Sequence, residues 1–293
     1  MSEAKPFIKW AGGKKKVLPY IKECYPITIN KYIEPFVGGG AVLFDILNNY
    51  NIKEAYICDT NKELINAYKV IKKCPNELIA QLQSLEADFK KEPDKDSKQA
   101  RYNMIRKKYN MFKKTYSSGP DIVLAAYFIF LNKTCFNGLY RVNKNDEFNV
   151  PMGDYKNPKI CDEENILAVS KKLKNVIIEN IDYQDTLKYI DEDTFVYLDP
   201  PYRPLTKTSD FTSYTKDSFN DEDQIKLAKY INKIDALGGM FLLSNSDPKN
   251  IDINDNFFDD LYSNYSIKRI EVGRAINSKG DKRGKVSELL IHN

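Results

Sequence analysis

Lys31-Tyr32-Ile33-Glu34-Pro35-Phe36-Val37-Gly38-Gly39-Gly40-Ala41-Val42-Leu43-Phe44-Asp45-Ile46-Leu47 is the stretch on which the fold turns. Tyr32-Ile33-Glu34 is short and β-like, three glycines follow, and residues 41–47 are apolar and helical. A second short strand over residues 55–58 ends at Asp59. Strand, glycine turn, helix, strand is the opening unit of a parallel α/β sheet. Short apolar runs at 176–179, 195–198 and 240–243 are bounded by polar or turn residues, as strands buried on both faces are. The end of the chain departs from the alternation. Residues 265–272 and 286–291 read as two strands joined by a basic, glycine-containing loop, an antiparallel hairpin that closes the sheet.

The middle, residues 63–160, reads as mostly helical. Tyr102, Ile105, Tyr109, Phe112 and Tyr116 recur at spacings of three and four, an apolar stripe that faces the core rather than stacking on bases. The run Cys135-Phe136-Asn137-Gly138-Leu139-Tyr140-Arg141-Val142 to Phe148-Asn149-Val150-Pro151 flanks a polar Asn-Lys-Asn-Asp tip, which predicts a β-ribbon. Residues 90–98 (KKEPDKDSK) predict a flexible loop.

Composition narrows the chemistry. Five cysteines, Cys24, Cys58, Cys74, Cys135 and Cys161, form an odd set without a CxxC pair, which fits a reducing cytosol and speaks against zinc or a disulfide frame. The single histidine, His292, leaves serine–histidine triads and histidine metal sites without a basis. No metal is expected. The longest apolar run, residues 122–131, is about half of the ~20 residues that span a bilayer, and the first residues carry no apolar signal region. No membrane partner and no secretion are therefore expected. The net charge of +4 is uninformative, but its distribution is not. Residues 98–114 hold seven basic residues and no acid; residues 268–285 hold seven against Glu271 and Asp281. Each run alone reads equally as a solvated face; two in one chain point to a polyanion.

Three constellations carry chemistry. In Phe36-Val37-Gly38-Gly39-Gly40 the glycines let backbone approach a ligand at the carboxyl edge of the sheet. Asp59, nineteen residues after Gly40, stands where a carboxylate accepts both ribose hydroxyls of an adenosine. The turn is not G-x-G-x-x-G and has no basic residue to hold pyrophosphate, which favours an adenosine cofactor without phosphate over a dinucleotide. Next, Asp199-Pro200-Pro201-Tyr202 follows a strand that two prolines must end. This leaves the Asp199 carboxylate and the Pro200 carbonyl as acceptors, with an aromatic ring beside them. Two acceptors gripping the two hydrogens of a nucleobase amine favour a pyramidal nitrogen with its lone pair directed outward, and Tyr202 can stack on a base turned out of the duplex. The bland alternative is a proline-rich turn. Finally, Phe7-Ile8-Lys9-Trp10-Ala11-Gly12-Gly13-Lys14 holds the only tryptophan and reads by itself as a basic arm.

KWAGGK (residues 9–14), EPFVGGG (34–40), FNGLYRVN (136–143) with FNVP (148–151), DPPY (199–202) followed by FTSY (211–214), and RGKVSE (283–288) together resemble the Dam-type adenine-specific DNA methyltransferases, including those of restriction systems recognising GATC. The resemblance implies a Rossmann-like α/β sheet that binds S-adenosylmethionine, with a mostly helical target-recognition insertion carrying the β-ribbon. It divides the chain into a catalytic domain, residues 1–62 and 161–293, and an inserted DNA-recognition domain, residues 63–160. Trp10, Lys14, Asp59 and Asp199 would contact the cofactor, the turn residues Phe36, Gly38 and Gly40 would help to bind it, and Asp182 would sit near its adenine. Asp199, Pro200 and Tyr202 would hold the target base. Phe136 would occupy the aromatic wedge position, Asn137, Leu139 and Arg141 the DNA-reading positions, and Lys9 would face DNA. The expected reaction is direct transfer of a methyl group to the N6 amine of adenine in double-stranded DNA, with no covalent enzyme intermediate. The resemblance admits a cognate restriction endonuclease as partner and a cytoplasmic or nucleoid-associated place. Cytosine-N4 and RNA methylation stay open on the residues alone. A cytosine-C5 reaction lacks its Pro-Cys nucleophile, a nicotinamide dehydrogenase lacks its phosphate loop, and a silent DNA-binding regulator is opposed by the intact Asp199.

Overall fold

A computed structural model describes residues 2–203, 219–273 and 285–293. The FTSY run and most of the second basic run, with the loop that joins the last two strands, lie outside the described residues. Seven strands form one sheet: β1 (Lys31–Glu34), β2 (Glu54–Cys58), β3 (Val176–Glu179), β4 (Thr194–Leu198), β5 (Met240–Ser246), β6 (Ser266–Gly273) and β7 (Lys285–His292). Their order is β3-β2-β1-β4-β5-β7-β6. The first five in that order run parallel, and β7 enters antiparallel between β5 and β6. All seven sequence-predicted strands are present, each within a few residues of its expected bounds. The direction of the order reverses between β1 and β4, the switch point where open α/β sheets bind ligands.

Two apolar clusters cover the sheet. One gathers Tyr32, Phe44, Tyr68, Phe130 and Phe195 and reaches α1 (Leu18–Lys22), α2 (Ala41–Asn49), α3 (Lys62–Lys73), α4 (Pro75–Lys91), α5 (Lys95–Thr115), α6 (Ile122–Thr134) and α7 (Glu163–Leu173). The other, around Val196, Ile231 and Phe258, rests under α8 (Asp221–Ala236) and α9 (Phe257–Leu261). The α6 helix is apolar all round, and it is accordingly central, packed by α3, α4 and α5. No helix among the described residues is long and apolar enough to cross a membrane.

Two expectations need correction. Residues 90–98 are not a loop: α4 runs to Lys91 and α5 starts at Lys95. The Asp94 carboxylate accepts the Ser97 N–H at 2.8 Å in a capping box, and Arg101 pairs back to Glu92. The charged composition hid a helix start. In place of a continuous ribbon, residues 135–152 fold back through two isolated antiparallel bridges, Cys135 with Met152 and Val142 with Phe148. A 3-10 turn at Phe136–Gly138 interrupts the pairing, because Asn137 takes the left-handed conformation with φ 54°. The tip closes on itself, with Asn143 and Asp146 N–H groups donating to Glu147 and Asn143 carbonyls.

Candidate active site

The turn after β1 is built by what its glycines leave room for. Gly40 sits at φ 72° as the N-cap of α2, and a side chain there would strike the Tyr68 hydroxyl and Phe44. Gly38, at φ 45°, has Trp10 where its Cβ would point, 2.7 Å from Cδ1. The Gly38 carbonyl accepts from Tyr68 at 3.1 Å, and its N–H donates to Asp59 Oδ2 at 3.1 Å. The other oxygen of Asp59 accepts the Asn61 N–H at 2.9 Å. Burial pushes the Asp59 carboxyl up to about 6, against the backbone N–H groups of Asn61, Gly38 and Thr60, which pull it down. The ends of β2 and β3 are tied by Asn180, whose amide donates to the Asp59 carbonyl at 2.8 Å. Asp182 is exposed two residues on, accepting the Gln184 N–H at 2.9 Å, and the Tyr183 ring lies 5.2 Å from that of Phe36. Behind Asp59, the buried Cys58 thiol donates to the Pro35 carbonyl at 3.4 Å.

Across the switch point, Asp199 ends β4. Its Oδ1 lies 2.6 Å from Nζ of Lys14, which is 4% exposed and also donates to the Gly12 carbonyl at 2.8 Å. Burial raises the Asp199 carboxyl; the Lys14 ammonium opposes this, and Glu288 adds to it. The same ammonium lies 4.9 Å from the centre of the Tyr202 ring, and the Tyr202 hydroxyl donates to Glu288 Oε2 at 3.1 Å. Among the described residues nothing donates to the Pro200 carbonyl, whereas the Pro201 carbonyl accepts from Gln224 at 3.3 Å. Arg203 then anchors the segment, bidentate to Asp221 and paired to Asp255 at 2.7 Å. The DPPY residues thus form a rigid acceptor edge beside the glycine turn, with one cation between carboxylate and ring.

The expected DNA-facing residues form a second group. Phe136 is 52% exposed, Asn137 and Arg141 are exposed, and Leu139 packs partly against the core. Arg141 Nε donates to Asn149 at 2.8 Å, with no described partner on its two terminal nitrogens. Lys9 lies over the Tyr155 ring at 4.6 Å. Lys9 and the 136–138 turn meet at Asn132, buried inside α6. Its side chain accepts the Lys9 N–H at 2.9 Å and donates to the carbonyls of Lys9 at 2.7 Å and Gly138 at 3.0 Å. At the base of the hairpin the buried Cys135 thiol donates to the Leu139 carbonyl at 3.3 Å.

The basic run of residues 98–114 is largely taken up inside the protein, which corrects its reading as a phosphate footprint. Arg101 pairs with Asp88 and Glu92, Lys114 with Glu147, Arg106 donates to the Val150 carbonyl, Lys98 lies over Phe89, and Lys113 is buried. Lys107 and Lys108 remain exposed without a described partner. The acids that answer the run come from other segments, so a local count missed them. Of the second run, Lys268 pairs with Glu23 and Arg269 with Asp247 and Asp259.

Sequence reasoning also missed Glu34 and Glu288. Glu34 is fully enclosed, bonded by Tyr32 at 2.7 Å, and burial raises it well above the carboxylate range, with Asp199 adding to the rise. Its signal was available, since a carboxylate at the end of a buried strand has no apolar reason to be there. Among the described residues no cluster of three histidine, cysteine or acidic side chains could hold a metal.

Residues 10–276 match the model of the D12 class N6 adenine-specific DNA methyltransferases. The chain is 50% identical over 297 residues to the type II methyltransferase M.MjaIII of Methanocaldococcus jannaschii, covering 99% of each. It is 37% identical to the type II methyltransferase M1.LlaDCHI of Lactococcus lactis subsp. cremoris, covering 99% of this chain and 95% of that one. To the DNA adenine methylase of Escherichia coli K12 it is 31% identical, again covering 99% and 95%.

Proposed function

We propose, because the chain belongs to the D12 class of N6 adenine-specific DNA methyltransferases and takes its methyl group from S-adenosylmethionine, that it methylates adenine within GATC in double-stranded DNA through the acceptor edge at Asp199 and Pro200. The observation that carries the reading is that edge: a carboxylate and a carbonyl unclaimed among the described residues, side by side at the switch point, next to the glycine turn.

The residues fit the cofactor. Asp59 offers two carboxylate oxygens whose backbone donors, Gly38 and Asn61, hold them in place while each keeps a lone pair for a ribose hydroxyl. Phe36 gives an apolar wall, Asp182 an exposed acceptor for the adenine end, and Trp10 and Lys14 border the methionine side. When bound, S-adenosylmethionine supplies an electrophilic sulfonium methyl group. The protein positions the nucleophile: Asp199 and Pro200 take the two N6 hydrogens, and Tyr202, fixed by Glu288, stacks on the base. The N6 lone pair would take the methyl group that the bound cofactor supplies, and Asp199 would take the surplus N6 proton. Asp199 can take up that proton only when ionised, and the Lys14 ammonium favours the ionised form against burial.

Residues 63–160 would then serve as the recognition insertion between the catalytic parts 1–62 and 161–293. Phe136 is the wedge, Asn137 and Leu139 border the read bases, Arg141 reads guanine through terminal nitrogens that have no partner among the described residues, and Lys9 faces the same groove. The relatives named type II methyltransferases make a cognate restriction endonuclease a fitting partner, and a DNA substrate fits a cytoplasmic or nucleoid-associated enzyme. The test is to methylate unmodified plasmid in vitro and map the modified base by sequencing. N6-methyladenine confined to GATC is the expected result, and modification at another motif overturns the site assignment.

A further inference from the structure

We propose that Lys113, buried beside Glu63 and bonded to Tyr140 and Asp146, is a positioning residue that sets the 135–152 hairpin in register with the glycine turn and so decides how Arg141 meets a base. The proposal rests on the reading of that hairpin as the DNA reader. Lys113 belongs to the most basic run of the chain, yet it is 4% exposed. Its Nζ lies 3.1 Å from Asp146 Oδ1, 3.1 Å from the Tyr140 hydroxyl and 3.8 Å from Glu63 Oε1. The Tyr140 hydroxyl in turn donates to Glu63 Oε2 at 3.1 Å.

Two of the partners lie at different points of the hairpin and the third on α3. Asp146 is the left-handed residue at the hairpin tip, φ 61°. Tyr140 stands between Leu139 and Arg141, the two residues expected to read bases. Glu63 lies in the first turn of α3, four residues after Asp59. The Tyr140 ring stacks on Trp10 at 5.6 Å, and Trp10 fills the space above Gly38 and Gly39. One ammonium therefore joins the hairpin tip, the segment beside Arg141 and the helix that leaves the cofactor edge. A buried ammonium tolerates no loss of partners, so any slip of the hairpin must break charged hydrogen bonds in a water-poor interior. In some proteins a buried polar group fixes register at a cost in stability, and Lys113 is placed to do so here.

Lys113→Met, Lys113→Arg and Asp146→Asn are assayed on GATC and on singly substituted sites, with Arg141→Ala alongside. Asp146 is partly exposed, so Asp146→Asn tests the idea even where Lys113→Met does not fold. Expected is a loss of discrimination of roughly tenfold in Asp146→Asn and Lys113→Met, within the range one bidentate base contact supplies, and retention in Lys113→Arg. Wild-type discrimination in Asp146→Asn, with discrimination lost in Arg141→Ala, overturns the inference alone. A uniform rate loss across all sites with a lower Tm also overturns it, since that is what a merely structural role gives. Wild-type discrimination in Arg141→Ala overturns the reading of the hairpin, and the inference with it.

Discussion

Asp59 and Asp199 end the two strands that flank β1, and burial lifts both carboxyls, yet the protein holds them by opposite means. Asp59 is gripped by backbone N–H groups of Gly38 and Asn61. Asp199 is gripped by one ammonium, Lys14, which also faces Tyr202 and lowers Glu34. Backbone donors do not titrate and fix geometry locally. An ammonium drawn from the far end of the chain sets charge, and three carboxyls, Asp199, Glu34 and Glu288, interact around it. The Asp59 carboxylate is thus fixed in place by backbone, whereas the charge of Asp199 depends on a side chain.

That contrast breaks if the two carboxylates respond alike. Asp199→Ala should lower turnover by on the order of 10²–10³ or more, as loss of a preorganised electrostatic partner does. Tritium transfer at saturating cofactor measures it, and turnover near wild type removes Asp199 from the reaction. Lys14→Met should cost less at high pH than at neutral pH. Without the ammonium, the Asp199 carboxyl rises further, so the acidic limb of the kcat/KM profile moves to higher pH. A limb that stays in place means that Lys14 does not govern Asp199.

Asp59→Asn should weaken cofactor binding by roughly tenfold, the order expected for one charged hydrogen bond, with saturated turnover little changed. Calorimetry decides between them. The wild-type cofactor affinity should also fall as pH drops through about 6, where Asp59 takes up a proton. Stability has the opposite sign. The folded carboxyl is raised from 3.8 to about 6, so ionisation costs the fold increasingly between those values. The cofactor-free Asp59→Asn variant should therefore melt a few degrees above wild type at pH 8 and level with it below pH 4. The smallest effect belongs to DNA affinity. Lys107→Gln or Lys108→Gln should each reduce the slope of log affinity against log salt by about 0.9 where the residue meets a phosphate, while Arg101→Gln leaves it unchanged. Equal slopes for all three would show that ion pairing inside the protein does not silence a cation.

The strands and the glycine turn were legible because short apolar runs ending in glycine or in Asp-Pro-Pro have few other readings. The contents of the acceptor edge were legible as residue types but not as a cluster. Lys14 and Asp199 lie 185 positions apart, and only the fold brings them to 2.6 Å. The basic run misled for the same reason: charge was read locally, whereas Glu63 and Asp146 answer Lys113 from distant segments. The capping box at Asp94 was readable in principle, but a run of lysines and acids with one proline looked like solvent-facing chain.

Cys58 and Cys135 give this comparison a clock of its own. One thiol is sealed behind Asp59 and the other at the root of the hairpin. Burial pushes Cys135 up to about 12 and raises Cys58 as well. Neither can be alkylated until its surroundings open, because only an exposed thiolate reacts. Reagent kinetics at these two sulfurs would time the local opening of each region in the unmodified protein, against the partly exposed Cys24 and Cys74 as fast internal references. Cofactor that slows Cys58 without slowing Cys135 would show the two edges breathing separately; equal slowing would show them opening as one unit.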